Sequence, residues 1–324
     1  MLTTIIIVSI KDGIEMRMKW PYNKKFAFTI VDDTDNGTVG NTKPVYDFLY
    51  SKGILTTKTV WIYPSRDNFS GGYLLDDDYL DFITDLKNKG FEIGLHNVGS
   101  GKFSREEIIE GINLFYEKLG FYPKLQINHA SNPDNIYWGA ERYQSLLRNL
   151  FKVLYGNKRK YYGSDIESSY FWGDICKEKI KYIRNHTFND INTLKIDPLM
   201  PYIDKSKQKY SNYWFSSSDG HTVEEFNFLL KKENIDKLET EGGACIVYTH
   251  FASNFVDDAG RLNKEFVKNM EYLSTKDGWF VPASIMLDYL ASQKKEVYAS
   301  KYYLTRLDFK WVFDRVIKKL KFNR

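Results

Sequence analysis

The chain has 324 residues, 43% hydrophobic and 27% charged, enough apolar material for a sizeable core and too much for a disordered segment. Its 46 Lys and Arg against 42 Asp and Glu give a net charge of +4, but residues 294–324 hold a net +7 and leave −3 for the rest. That division excludes a broad basic nucleic-acid-binding body, so no nucleic-acid partner is expected. Cys176 and Cys245 are too few for a disulfide framework or a Cys-based zinc site and suggest a reducing compartment.

In chain order, residues 3–10 are a β-branched apolar run, too short to span a bilayer and without a basic leader or cleavage site. It reads as a strand paired with the alternating segment 14–20, and the expected address is the cytoplasm. A buried strand over 25–31 runs into Asp32-Asp33. A helix around 45–50, a strand over 57–62 and a helix over 77–89 follow, the last ended by Gly90. The strand 91–95 leads to His96, and Ser104 with Glu107 forms a capping box that opens the next helix. Pro123 introduces a strand over 124–127 ending at Asn128-His129. A helix near 141–150, an aromatic segment over 153–173 and strands at 181–184 and 213–215 come next. Thr222 and Glu225 read as a second capping box, opening a long helix to about Leu238. A strand over 242–248 ends at Thr249-His250; a helix over 263–273 and a strand-helix pair over 279–290 complete the body. Repeated strand-helix units predict a parallel sheet or barrel.

Polar residues recur where these strands end. Asp32-Asp33, His96, His129 and His250 each follow one, so three of the five histidines stand at strand ends. In a parallel barrel such ends converge on one face, where these folds place their sites. Any single His there could be a loop residue, and Asp32 to Gly37 is rich in turn formers; the coincidence of all four positions favours a site.

Thr29-Ile30-Val31-Asp32-Asp33 resembles the strand-plus-paired-Asp motif of the polysaccharide deacetylases, carbohydrate esterase family 4. Glu92-Ile93-Gly94-Leu95-His96 is similar to the approach to their metal-binding histidine, and the helix start at Ser104 follows as it does there. Cys245 to Phe251 resembles their late strand with the catalytic histidine. The resemblance spans roughly residues 20–290 and is similar to a divergent branch serving surface-polysaccharide and O-antigen biosynthesis. It implies a distorted (β/α) barrel, taken as residues 1–291; residues 292–324 lie outside the resemblance and read as a separate basic helical tail. It also implies a divalent metal, zinc foremost with cobalt, nickel or manganese as alternatives. The implied reaction removes an N-acetyl group from an amino sugar of a glycan or a lipid- or nucleotide-linked precursor.

By the same resemblance Asp32 is the general base, Asp33 and His96 are metal ligands, and His250 is the acid that protonates the leaving nitrogen. One departure stands out. The family's second metal histidine, four residues after the first, is Ser100 here, and a hydroxyl replaces imidazole poorly. His129 is taken as the third ligand; the alternative is water, with Ser100 or Asn97 supporting it. If the metal has been lost, the chain is a carbohydrate-binding pseudoenzyme; O-acetyl or formyl removal is a further chemical alternative. The family's arginine is missing from the segment around Asn128, and Arg184 is the candidate substitute that orients the base. Asn97, Ser100, Asn128, Trp172, Trp214 and His221 are candidate substrate contacts, the tryptophans because aromatic faces suit pyranose rings, with core packing as the competing reading.

In the tail, Phe309, Val312, Phe313, Val316, Ile317 and Leu320 recur at helical spacing, and Lys310, Arg315, Lys318, Lys319 and Lys321 fill the remainder. This predicts a basic amphipathic helix over 304–321. Its apolar face is expected to pack on the barrel, with peripheral contact to an anionic membrane as the alternative.

Overall fold

Apolar runs without alternation become strands covered on both faces. A computed structural model describes residues 18–156 and 160–322, so the strand predicted over 3–10 and most of its partner over 14–20 lie outside the described residues. The strands are β1 (Phe26–Asp32), β2 (Thr57–Val60), β3 (Glu92–Leu95), β4 (Leu125–Gln126), β5 (Tyr182–Phe188), β6 (Tyr213–Asp219), β7 (Ala244–Thr249) and β8 (Gly278–Phe280). All of their pairings are parallel, in the order β2-β3-β4-β5-β6-β7-β1-β8.

β1 also pairs with β2, so β1 to β7 close into a seven-stranded barrel with β8 added to it. Along one edge of β1, Phe26 to Phe28 face β8, whereas Val31 and Asp32 face Thr57 and Lys58 of β2. The barrel is therefore shut at its C-terminal mouth and parted below by β8, which is the form its distortion takes.

The helices are α1 (Val39–Ser51), α2 (Asp77–Asn88), α3 (Arg105–Leu119), α4 (Ser145–Tyr155), α5 (Gly173–Lys179), α6 (Thr193–Ile196), α7 (Val223–Leu229), α8 (Lys232–Glu241), α9 (Lys264–Ser274), α10 (Ala283–Ser292) and α11 (Lys301–Phe322). The Ser104–Glu107 capping box forms with both reciprocal hydrogen bonds. The one predicted at Thr222 does not: Thr222 caps no amide, and Glu225 reaches Lys318 of α11 at 2.7 Å. The single helix predicted from Thr222 is two, because Lys231 is extended (φ −62°, ψ 153°) and restarts the chain as α8.

α11 lies against β5, but not on the face expected from its pattern. Leu304, Leu307, Asp308 and Asp314 are its buried positions, while Phe309, Phe313, Val316 and Leu320 are exposed. The acids explain the reversal. Asp308 accepts from the Gln144 amide and sits 2.9 Å from His186 Nε2; Asp314 accepts from the Asn189 amide. Lys318 bonds Asp219 at 2.9 Å, so specific polar contacts fix this face inward.

His186 is fully buried, with Tyr143 and Trp311 against its ring. Burial, then Arg142 and Lys207, push its imidazole down to about 3, against the opposing pull of Asp308. The folded ring stays neutral while the unfolded chain takes up a proton near 6.5. Its contribution to stability is therefore complete above that pH and lost as pH falls below it. Urea unfolding at pH 7 and pH 5 should show a loss on the order of 2 kcal/mol from this group, absent in His186→Phe. Equal pH slopes in the two proteins would remove His186 as the cause.

Candidate active site

The C-terminal mouth brings His96, His129 and His250 together with Asp35, a carboxylate that the sequence reading did not single out. Asp35, three residues beyond β1, sits with His96 from the end of β3 and His129 from beyond β4. Its Oδ1 lies 3.1 Å from His96 Nε2 and 3.4 Å from His129 Nε2, and the ligand atoms of the three residues all fall within 4.8 Å of one another. These three atoms are buried and have no hydrogen-bond partner. Three ligand atoms turned to one point are what a metal ion needs, and one carboxylate with two imidazoles suits zinc and its first-row neighbours. The residues present thus form a candidate metal site, and they fit the group.

The surroundings hold these ligands in place. His129 donates its amide to Asn97 Oδ1 at 2.8 Å; Asn97 in turn donates to Asp134 at 2.6 Å. Asn97 adopts φ 54°, a left-handed conformation that asparagine tolerates better than most residues. Asn132 Oδ1 stands 3.1 Å from His129 Nδ1, which leaves Nε2 turned to the cluster. Phe69 and Trp61 meet the His129 ring edge-on at centroid distances of 4.6 and 5.9 Å and shield it from solvent.

Asp33 is absent from this cluster. It is paired with Arg184 of β5 by two hydrogen bonds, 2.9 Å to Oδ1 and 2.5 Å to Oδ2, and the guanidinium lies over the Tyr248 ring. Asp32 faces the other way. Fully buried, it accepts from Tyr46 at 2.9 Å, from Lys58 at 2.8 Å and from the Phe251 amide at 2.8 Å. With both oxygens committed and no exposure, Asp32 joins three elements instead of facing the mouth.

His250, after β7, places Nε2 3.3 Å from Asp35 Oδ2 and Nδ1 3.3 Å from the His221 carbonyl. Burial opposes the charged forms of His129 and His250, but Asp35 outweighs it and raises both. Asp35 itself is held well below the usual carboxylate range, because the three histidines outweigh its burial. His221 packs edge-on against His250 at 4.5 Å and accepts from the Tyr248 hydroxyl at 2.6 Å. Burial, followed by the His250 charge, pushes it down to about 3, so it stays neutral.

The remaining predicted substrate contacts are supporting residues. Ser100 is buried and donates to Asp67 at 2.7 Å, away from His96. Asn128 clamps the following loop through the Ile136 amide and carbonyl. Trp172 and Trp214 are 1% exposed core residues whose indoles donate to the Asp134 carbonyl and to Ser211, so neither presents a face to a sugar. Rings that do border open space include Tyr137, Trp138 and Tyr162, lining a cavity of about 660 Å³.

No family model matches the chain, and no curated protein matches it. Solved structures do. Puue allantoinase aligns over 88% of this chain and 98% of its own, with a TM-score of 0.51 at 12% identity. A probable polysaccharide deacetylase from Pseudomonas aeruginosa PAO1 aligns over 83% and 92%, also at 0.51 and 12%. At this identity the likeness is one of fold. The chain has the (β/α)-barrel fold of the polysaccharide deacetylases, with a candidate Asp-His-His metal site at its mouth.

Proposed function

We propose that the protein is a metal-dependent hydrolase removing an N-acetyl group from an amino sugar of a surface-glycan or O-antigen precursor carried on a lipid or nucleotide. The observation that carries this reading is the convergence of Asp35 Oδ1, His96 Nε2 and His129 Nε2, unshared and buried, at the barrel mouth. A bound zinc-like ion would polarise the acyl carbonyl and acidify water there.

The chain's own groups supply the rest. Asp33, held in one orientation by Arg184, takes the proton of the attacking water; Arg184 acts as its positioning residue. His250 is anchored through Nδ1–H on the His221 carbonyl, so its Nε2 proton faces the site and passes to the departing amine. Acetate and the free amino sugar leave. Ser100 at a ligand's place in the motif suggested a pseudoenzyme; His129 beside Asp35 and His96 speaks against that. Both cysteines are buried and free, in keeping with a cytoplasmic address.

Acetate release from nucleotide- and lipid-linked N-acetylamino sugars tests the reading. Release should stop on chelation and return with zinc. Release only from O-acetyl or formyl substrates would change the substrate class, and none from any substrate with metal bound would leave the pseudoenzyme.

A further inference from the structure

We propose that the outward faces of α4 and α11 seat the protein on an anionic phospholipid surface. The inference stands apart from the deacetylase reading and rests on how α11 is docked. Its inner face is committed to the barrel through Leu304, Leu307, Asp308, Asp314 and Lys318. Directly opposite, Phe309, Phe313, Val316 and Leu320 form a crest spaced four, three and four residues apart, at 47%, 61%, 53% and 77% exposure.

Among the described residues nothing buries this crest, although the helix is already anchored by its other side. Its charge indicates what covers it. Both acids of α11 are buried, so the charges it shows to solvent, from Lys301, Arg306, Lys319 and Lys321, are all positive. Lysines bordering an apolar crest can extend to lipid phosphates while their stems lie along the acyl boundary. α4 repeats the apolar part of the pattern: Leu146, Leu150, Val153 and Leu154 are exposed at i, i+4, i+7 and i+8, and the Lys152 beside them is paired with Glu141 at 3.0 Å.

The two helices flank one groove of about 450 Å³, with Phe151 on the α4 side and Val312, Val316 and Lys319 on the other. Its lining includes Ala130, which follows His129 in the chain. A second copy fits less well, because a two-fold contact through the crest would bring the positive flanks together. Among the described residues no helix is long and apolar enough to cross a membrane, so the contact proposed is peripheral.

Co-sedimentation of the full chain with phosphatidylcholine vesicles, with and without phosphatidylglycerol, tests this. Binding should require phosphatidylglycerol and weaken as salt rises. Phe313→Ser with Leu320→Ser should weaken it roughly tenfold or more, and Lys319→Glu with Lys321→Glu likewise, without change in thermal melting, because all four side chains are exposed. Turnover of a soluble substrate should be the same in both variants, which separates this test from that of the active site. No binding, binding unaffected by either pair, or a solution dimer that the serine pair dissociates would overturn the proposal.

Discussion

Asp35→Ala should lose metal binding and turnover together, whereas Asp33→Asn should keep the metal and lose turnover. Asp35 is the carboxylate whose free oxygen faces His96 and His129; Asp33 gives both oxygens to Arg184. Removing a ligand should cost more affinity than the roughly 10–100-fold typical of an outer partner. Removing a general base from an intact site should lower kcat by about 10²–10⁴-fold. Zinc titration by calorimetry, with acetate release on the same samples, separates the two effects. The opposite pattern, with metal lost from Asp33→Ala and retained by Asp35→Ala, would restore the assignment that family resemblance implies.

Asp32→Ala should be a folding variant, not a chemical one. Asp32 and Lys58 are paired across β1 and β2 in register, both without exposure, at the point where the barrel closes. Losing the carboxylate leaves a buried ammonium with its main partner gone, at a cost of about 3–5 kcal/mol. Lys58→Met should be similarly damaging, and the double replacement Asp32→Leu with Lys58→Met should recover part of the loss. Urea unfolding of the four proteins measures this. An Asp32→Asn protein as stable as the parent yet inactive would return Asp32 to the chemistry.

The barrel was legible because apolar strands and capped helices alternate, and a parallel sheet reads as unbroken apolar runs. His96, His129, His250 and Arg184 were legible as polar residues at or near strand ends. Asp35 was not: it lies within a run of turn formers, and an Asp-x-Asp spacing is visible only when the position of β1 is known. Asp32 looked chemical because its partner lies 26 residues away. The clue was Lys58 itself, a lysine inside the otherwise uncharged strand Thr57–Val60. The tail's amphipathic pattern showed two faces, but burial of the polar one depended on His186, Gln144 and Asn189, all remote in sequence. Aromatic content pointed to a sugar site, yet Trp172 and Trp214 went to the core, the common fate of large rings.

Asp35, His96 and His129 are proposed to hold a catalytic metal, and an anomalous-difference map of zinc-soaked crystals tests this. The predicted result is one peak about 2.0–2.2 Å from a carboxylate oxygen of Asp35 and from Nε2 of both histidines. A peak ligated by Asp33 or Asp32, or none at the barrel mouth after soaking, would contradict it.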